Sequence, residues 1–174
     1  MPIWVGGSAP TNIYVGTTAV QKVYCGTQLV WSKTAVTGTF GKATHTYTFG
    51  NNGNGNQYYL YFEVYVSSKN YVANTMVVTV DTYLGSIGNY NIVASTARTA
   101  TITIDGNERT TASYTATTNA GTKKQIGNNG ATLTGKHGTT ITIKASVPLK
   151  VTIDDGVGYV DTPSCSFSYT LPNY

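Results

Sequence analysis

The segment QYYLYFEVYV, residues 57–66, decides the fold because its side chains alternate strictly between two faces. One face carries Tyr58, Leu60, Phe62, Val64 and Val66, and the other carries Tyr59, Tyr61, Glu63 and Tyr65. A period of two predicts a β-strand with one face packed in a core and the other in water. TMVVTVDTYL (75–84), TTITIKASV (139–147) and SCSFSYTL (164–171) repeat this pattern.

Turn signals separate these strands. The clearest is Asp105-Gly106-Asn107, which follows TATITI and predicts a hairpin with the segment 108–116. No stretch has apolar residues at the three- and four-residue spacing of a helix. Seven to nine alternating strands predict an all-β chain with an antiparallel β-sandwich, Ig-like or jelly-roll-like, over residues 34–174.

Residues 3–32, IWVGGSAPTNIYVGTTAVQKVYCGTQLVWS, are three copies of a ten-residue repeat. Each copy has a β-branched residue, an aromatic residue and, two positions later, a glycine: Trp4, Tyr14 and Tyr24 precede Gly6, Gly16 and Gly26. The repeat predicts a meander of four short strands, residues 1–33, with turns at the glycines. So small a sheet cannot bury its own rings. The rings of Trp4, Tyr14, Tyr24 and Trp31 therefore need a partner surface, which either the rest of the chain or another protein supplies.

Composition excludes several classes of function. The chain has 174 residues, 11 basic and 7 acidic, and its basic residues are scattered, which argues against nucleic-acid binding. No apolar segment is long enough to span a membrane. The N-terminus has no pattern of a signal peptide, so we expect folding in a cytoplasm. Cys25 and Cys165 are expected to be free and buried rather than paired.

Candidates for catalysis are few. His45 and His137 are expected to be surface residues without a role, and two Cys with two His at these spacings cannot form a metal cluster. Asp154-Asp155-Gly156 lacks the alternating acids of a calcium loop. Glu63 and Asp81 could be cross-strand neighbours, which leaves a small glycosidase as a hypothesis. The sequence predicts a non-enzymatic protein without cofactor or metal.

The surplus of tyrosine is the strongest binding signal. Tyr59, Tyr61, Tyr65 and Tyr83 lie on strand faces opposite the apolar residues. Tyrosine combines apolar area with a polar tip, which suits sugar rings or protein partners. The alternatives are a cross-strand ladder that stiffens the sheet and a face buried between copies of the chain.

The repeat IYVGTTAVQKVYCGTQLVW resembles the short strand-glycine-turn repeats at the start of many tailed-phage virion proteins. Residues 89–151, with ITIDG at 102–106 and TTITIKASV at 139–147, are similar to a β-sandwich module of phage tail, fibre and minor structural proteins. The chain keeps Ile104-Asp105-Gly106 and His137-Gly138 but lacks the aspartate that precedes Gly138 in that pattern.

The resemblance implies a virion component: a head fibre, a capsid decoration protein or a tail appendage. It implies capsid, portal or tail proteins as partners and a homo-oligomer, with a trimer expected for a fibre. It also implies that residues 1–33 are an attachment or oligomerisation module whose rings, Trp4, Tyr14, Tyr24 and Trp31, are buried against the virion or sister subunits. Such proteins fold in the host cytoplasm, which agrees with the absence of a signal-peptide pattern at the N-terminus. They then act outside the cell in the virion, which agrees with a composition rich in Thr, Tyr and Asn, as in extracellular adhesive modules. The alternative is a carbohydrate-binding adhesin that grips a host-surface glycan with its exposed tyrosines.

Overall fold

The structure, a computed structural model, describes residues 13–20, 22–32, 35–50, 56–87, 92–93, 98–115, 117–118, 121–152 and 158–173. Within these ranges the regular elements are sixteen strands and there is no helix. The strands are β1 (Ile13–Val15), β2 (Thr18–Val20), β3 (Lys22–Cys25), β4 (Gln28–Ser32), β5 (Ala35–Gly50), β6 (Asn56–Asn70), β7 (Thr75–Ser86), β8 (Ile92–Val93), β9 (Thr101–Ile104), β10 (Asn107–Thr110), β11 (Thr117–Thr118), β12 (Lys123–Thr134), β13 (Thr140–Ser146), β14 (Leu149–Thr152), β15 (Gly158–Asp161) and β16 (Ser164–Thr170). The predicted all-β class is confirmed.

Two antiparallel four-stranded sheets enclose the core, as the sequence predicts for a sandwich. Sheet I has the strand order β12-β7-β6-β5, and sheet II has the order β10-β9-β13-β16. The core takes its side chains from the predicted inward positions of both sheets, including Leu60 and Phe62 from sheet I and Ile143 and Phe167 from sheet II. Burial of these alternate apolar side chains is the main source of stability.

Side-chain hydrogen bonds close the sandwich along both edges. On one side, the Tyr47 hydroxyl on β5 donates to the Ser166 carbonyl on β16 at 2.9 Å, and the Tyr169 hydroxyl donates to the Gly41 carbonyl at 2.8 Å. On the other side, Arg109 Nε on β10 donates to the Gly130 carbonyl on β12 at 3.0 Å. These bonds use carbonyls near the sheet edges, where backbone groups otherwise lack ladder partners.

The predicted turn at Asp105-Gly106 is confirmed. It joins β9 to β10 with Ile104 paired to Asn107, and both turn residues have positive φ, 48° for Asp105 and 82° for Gly106. Two positive φ values define the type I′ turn, whose twist matches that of the strands. β10 ends at Thr110, earlier than the return strand that the sequence predicts through residue 116.

A third four-stranded sheet, in the order β11-β8-β14-β15, continues one end of the sandwich. β13 and β14 are separated by Val147 and Pro148, and the side chains of Val147 and Leu149 both enter the same core as sheets I and II. The backbone amide of Val147 donates to the Pro163 carbonyl at 3.0 Å. The alternation of side chains along these strands does not distinguish this sheet from the sandwich.

The N-terminal repeat forms two hairpins in the described residues. β1 pairs only with β2, and β3 pairs only with β4, so each hairpin is a two-stranded sheet of its own. The four short strands that the sequence predicts as one meander are thus divided, in the described residues, between two separate sheets. The first predicted turn, at Gly6-Gly7-Ser8, lies outside the described residues.

Candidate functional site

The hairpins place two repeat tyrosines on the surface. Gly16 and Gly26 occupy the turns with φ of 62° and 60°, a backbone conformation that glycine adopts without strain. Tyr14 and Tyr24 are 60% and 54% exposed, and Val15 is 73% exposed. Because Tyr14 and Tyr24 are ten residues apart in the repeat, successive hairpins present the same kind of ring at equivalent positions.

The other two predicted attachment residues differ from this pair. Trp31 is only 9% exposed, so this chain itself buries the ring and the structure does not present it to a partner. Of the two surfaces that the sequence leaves open for covering this ring, the structure favours the chain itself over a second protein. Trp4 lies outside the described residues.

The outward face of sheet I carries all four tyrosines of the predicted binding set. The strand register arranges this face in rows that run across the sheet. One row is Thr46, Tyr61, Tyr83 and Gln125; the next is Thr44, Glu63, Asp81 and Asn128. Tyr59 and Tyr65 lie in the rows on either side of these two. The inward partners, such as Leu60 and Phe62, are fully buried, so the tyrosine set faces outward.

Neighbouring groups engage these tyrosines. The Tyr61 and Tyr83 rings pack edge to face with centroids 5.7 Å apart. Lys123 places its ammonium 3.8 Å from the Tyr61 centroid and 4.9 Å from the Tyr83 centroid, a cation–π arrangement. The Tyr59 ring covers the backbone of Gly85, where a Cβ atom would overlap it. These contacts are those of a cross-strand ladder that stiffens the sheet.

Glu63 and Asp81 are direct cross-strand partners, as the sequence analysis expected. Asp81 is only 8% exposed, because Gln125 Nε2 donates to its Oδ1 at 2.9 Å and Asn128 Nδ2 donates to the same oxygen. The outward face of β7 is therefore less solvated than the alternation predicts. The two amide donors tie one oxygen of the Asp81 carboxylate to β12, which is a structural contact between neighbouring strands.

Glu63 is held in its ionised form. Lys42 Nζ lies 3.0 Å from its Oε2, and the Tyr61 hydroxyl donates to its Oε1 at 3.3 Å. The hydrogen bond from Lys42 lowers the pKa of Glu63 and raises the pKa of Lys42. A glycosidase acid needs the opposite shift, because it must carry a proton at neutral pH. This geometry gives the glycosidase hypothesis no support.

Burial raises the pKa of two tyrosines on this face. The pKa of Tyr65 is raised first by burial and then by the neighbouring Asp81 carboxylate. The pKa of Tyr83 is raised by burial and by Glu63 and Asp81. Both phenols therefore stay neutral at physiological pH and can only donate or accept hydrogen bonds.

Those of the remaining candidates that the structure describes do not form a reactive cluster. Cys25 and Cys165 are free, as expected, but Cys25 is exposed rather than buried. His45 is also misassigned as a plain surface residue: its ring stacks on Phe167 with centroids 4.1 Å apart, and burial lowers its pKa. No group of three His, Cys, Asp or Glu among the described residues could hold a metal ion. Asp154 and Asp155 lie outside those residues.

Comparisons with protein-family models, curated proteins and solved structures find no match for this chain. The described part of the chain has no helix long and apolar enough to cross a membrane.

The structure adds one feature that the sequence analysis missed. The outward face of sheet II holds an open cavity of about 450 Å³. Its polar lining comes from β9, β13 and β16 and their immediate neighbours: Thr101, Thr103, Lys144, Ser146, Ser164 and Ser166. The alternation in each strand assigns these residues to the outward face, but only the register between strands brings them together.

Proposed function

We propose that the chain is a non-enzymatic structural protein of a tailed-phage virion, serving as a head fibre, a capsid decoration protein or a tail appendage. In this proposal the N-terminal hairpins anchor the chain and the sandwich projects from the particle. The observation that carries the proposal is the exposure of Tyr14, Val15 and Tyr24 on hairpins that pair with no other strand in the described residues. The resemblance of the repeat to phage virion repeats supplies the class of particle.

Each hairpin is too small to be stable without a further surface to pack against. β1 and β2 have three residues each, and an isolated two-stranded hairpin is marginally stable in water. A partner that covers the exposed aromatic residues stabilises such a hairpin by burying their apolar surface. Tyrosine is also enriched in the cores of protein interfaces. The hairpins are therefore best explained as docking elements.

The partner of the hairpins is a virion protein or a sister copy of this chain. Tyr14 and Tyr24 are the docking residues, whereas Trp31 belongs to the packing of the chain itself. Capsid, portal and tail proteins are the candidate virion partners to which the hairpins would bind. A homo-oligomer, trimeric in a fibre, would bring equivalent tyrosines from several chains together.

Complementation tests the anchoring role. Particles of the virus that encodes the chain are assembled without its gene, and the chain is supplied in trans as wild type, Y14S/Y24S or V72S. Val72 is the matched control, because it is 60% exposed in the turn between β6 and β7, away from the hairpins. We expect wild type and V72S to co-sediment with particles and Y14S/Y24S to be reduced at least tenfold while remaining folded.

Two results would contradict the proposal at different points. If no version co-sediments and the chain is absent from authentic particles by mass spectrometry, it is not a virion protein. If Y14S/Y24S incorporates as well as V72S, the chain is a virion protein but the hairpins are not its anchor.

The second candidate function is a carbohydrate-binding adhesin that uses Tyr59, Tyr61, Tyr65 and Tyr83. Their common outward face supports it, and the lysine on the Tyr61 ring weighs against it because that ring face is already covered. A glycan array tests this function: saturable binding that is lost in Y59A or Y61A would support it. Binding that both variants retain would exclude this face.

A further inference from the structure

The cavity on sheet II collects polar groups that have no partner in the structure. The register sets Thr101 beside Ser146 and Ser146 beside Ser164; the next row sets Thr103 beside Lys144 and Lys144 beside Ser166. Within the described ranges, no hydrogen bond engages any of the five hydroxyls. Two rows farther along the same face, the hydroxyls of Thr140 and Thr170 do bond to each other, at 2.9 Å. In the row between, the hydroxyls of Thr142 and Ser168 also have no hydrogen-bond partner among the described residues, and neither residue lines the cavity. The cavity hydroxyls differ from this pair in that they lie with Lys144 around one open space.

Lys144 stands at the centre of this lining without a counter-ion. Across the described residues, no ion pair or hydrogen bond involves it, whereas Lys42 pairs with Glu63 and Lys136 pairs with Asp105 at 3.2 Å. The lining contains no carboxylate among the described residues. Glu108 occupies the same row but lies on β10, two strands away from Lys144. The cavity therefore offers one uncompensated positive charge.

The chemistry of the lining selects a class of ligand. Hydroxyl groups both donate and accept hydrogen bonds, as the ring hydroxyls of a sugar do. An ammonium group binds a carboxylate or phosphate through charge-assisted hydrogen bonds. Single-stranded nucleic acid would require stacking aromatic residues and a basic groove, which this lining does not provide. The volume of about 450 Å³ falls within the usual range of small-molecule sites, but the cavity is open to solvent, and Lys144, Ser164 and Ser166 are exposed.

We propose that this cavity binds an acidic sugar residue of a cell-surface polysaccharide, with Lys144 on the acid group and the Thr and Ser hydroxyls on the ring hydroxyls. The site is distinct from the tyrosine face and belongs to the opposite sheet. It does not depend on how the chain is anchored. In a virion protein, it would bring the projecting sandwich into contact with a host surface.

Calorimetric titration of the full chain tests the site. The acidic probe is an oligogalacturonate trimer, and its neutral match is the same trimer with methyl-esterified carboxylates. The variants are K144Q and the control K22Q, which removes the same charge from an exposed hairpin position. We expect saturable binding of the acidic trimer by wild type and K22Q. Binding should be weakened at least tenfold by K144Q and at least tenfold by esterification of the probe.

Each other result overturns a defined part of the proposal. Equal affinity of K144Q and K22Q would mean that Lys144 does not form the site. Equal affinity for both trimers would show that the acid group of the ligand does not contribute to binding. Inorganic phosphate that binds as tightly as the trimer would show that the sugar ring does not contribute. K144Q should still join particles in the complementation assay, so failure of this site and failure of the anchoring role are distinguishable.

Discussion

Some buried polar side chains of the sandwich have unsatisfied hydrogen-bonding atoms. The Oγ1 of Thr82 and the Oδ1 of Asn129 are buried and have no hydrogen-bond partner, although both residues lie on inward positions of sheet I. Thr111 is also buried, but its Oγ1 accepts the amide hydrogen of Ala100 at 2.8 Å. A buried polar atom without a partner carries a desolvation cost that a bonded one recovers.

This difference predicts opposite effects for the same substitution. T82V should raise the free energy of unfolding by about 1 kcal/mol, because it replaces an unpartnered hydroxyl with a methyl group of similar size. T111V should lower it by about 1–3 kcal/mol, because it leaves the Ala100 amide unsatisfied. Urea denaturation of the two variants beside wild type measures both. A loss of stability in T82V would show that its hydroxyl has a partner.

Two glycines of sheet I predict a second contrast. A Cβ at Gly85 would overlap the Tyr59 ring, whereas a Cβ at Gly130 would find its nearest atoms 3.7 Å away. G85A should therefore lower the free energy of unfolding by about 1–3 kcal/mol, and G130A should leave it unchanged or slightly raised. Combining G85A with Y59A should recover part of the loss. Additive effects in that double-mutant cycle would disprove the contact.

At the scale of elements, two tyrosine hydroxyls that bond to carbonyls of distant segments make the fold sensitive to alkaline pH. Burial raises the pKa of Tyr169 to about 12 and that of Tyr114 to about 12, and both hydroxyls donate to backbone carbonyls. Because these folded pKa values lie above the ordinary value of 10.0, the unfolded chain ionises first. This part of the stability is complete below pH 10 and is lost as the pH rises toward 12.

Y169F isolates one of these groups. At pH 7 we expect it to lower the free energy of unfolding by about 0.5–1.5 kcal/mol, because the hydrogen bond to Gly41 is lost. Above pH 10 its stability should fall less steeply than that of wild type. Denaturation curves at pH 7, 9, 10 and 11 measure both effects. Parallel pH profiles for the two proteins would contradict the assignment.

The strands of the hairpins bury less of their surface than the strands of the sandwich do. Their turns are dictated by glycine, but their strands bury little, since β1 has the exposed residues Tyr14 and Val15 and β3 has the exposed Tyr24. A short strand contributes stability mainly through the surface it covers. The glycine turns therefore favour the hairpins locally, but in the structure the Tyr14 and Tyr24 rings add little buried surface to stabilise them.

At the scale of the whole molecule, the core is independent of the repeat. The buried residues of the core cluster lie between Tyr58 and Leu171, and none of the described residues before Phe40 packs against it. We predict that residues 35–174 fold without the repeat and unfold cooperatively. Thermal melts followed by far-UV circular dichroism, for this fragment and the full chain, measure it. A fragment without a cooperative transition would show that the division at residue 33 is wrong.

Much of the fold follows from the sequence because strand alternation is local. The inward sets around Leu60, Val78 and Ile143 and the turn at Asp105-Gly106 are all read from neighbouring residues, and burial follows them closely. The tyrosines of sheet I and the pairing of Glu63 with Asp81 are predictable for the same reason. The burial of Trp31 is not, since the pattern of the repeat does not indicate which surface covers the ring.

By itself, the sequence determined the all-β class, the inward face of each strand and the glycine turns of the repeat, since these depend on residues within one strand or turn. Only the tertiary structure decided that Lys123 covers the tyrosines, that amides enclose Asp81 and that five free hydroxyls surround Lys144. Those arrangements depend on which strands are neighbours and in what register. Strand order and register are set by the packing of two whole sheets, which no single segment encodes.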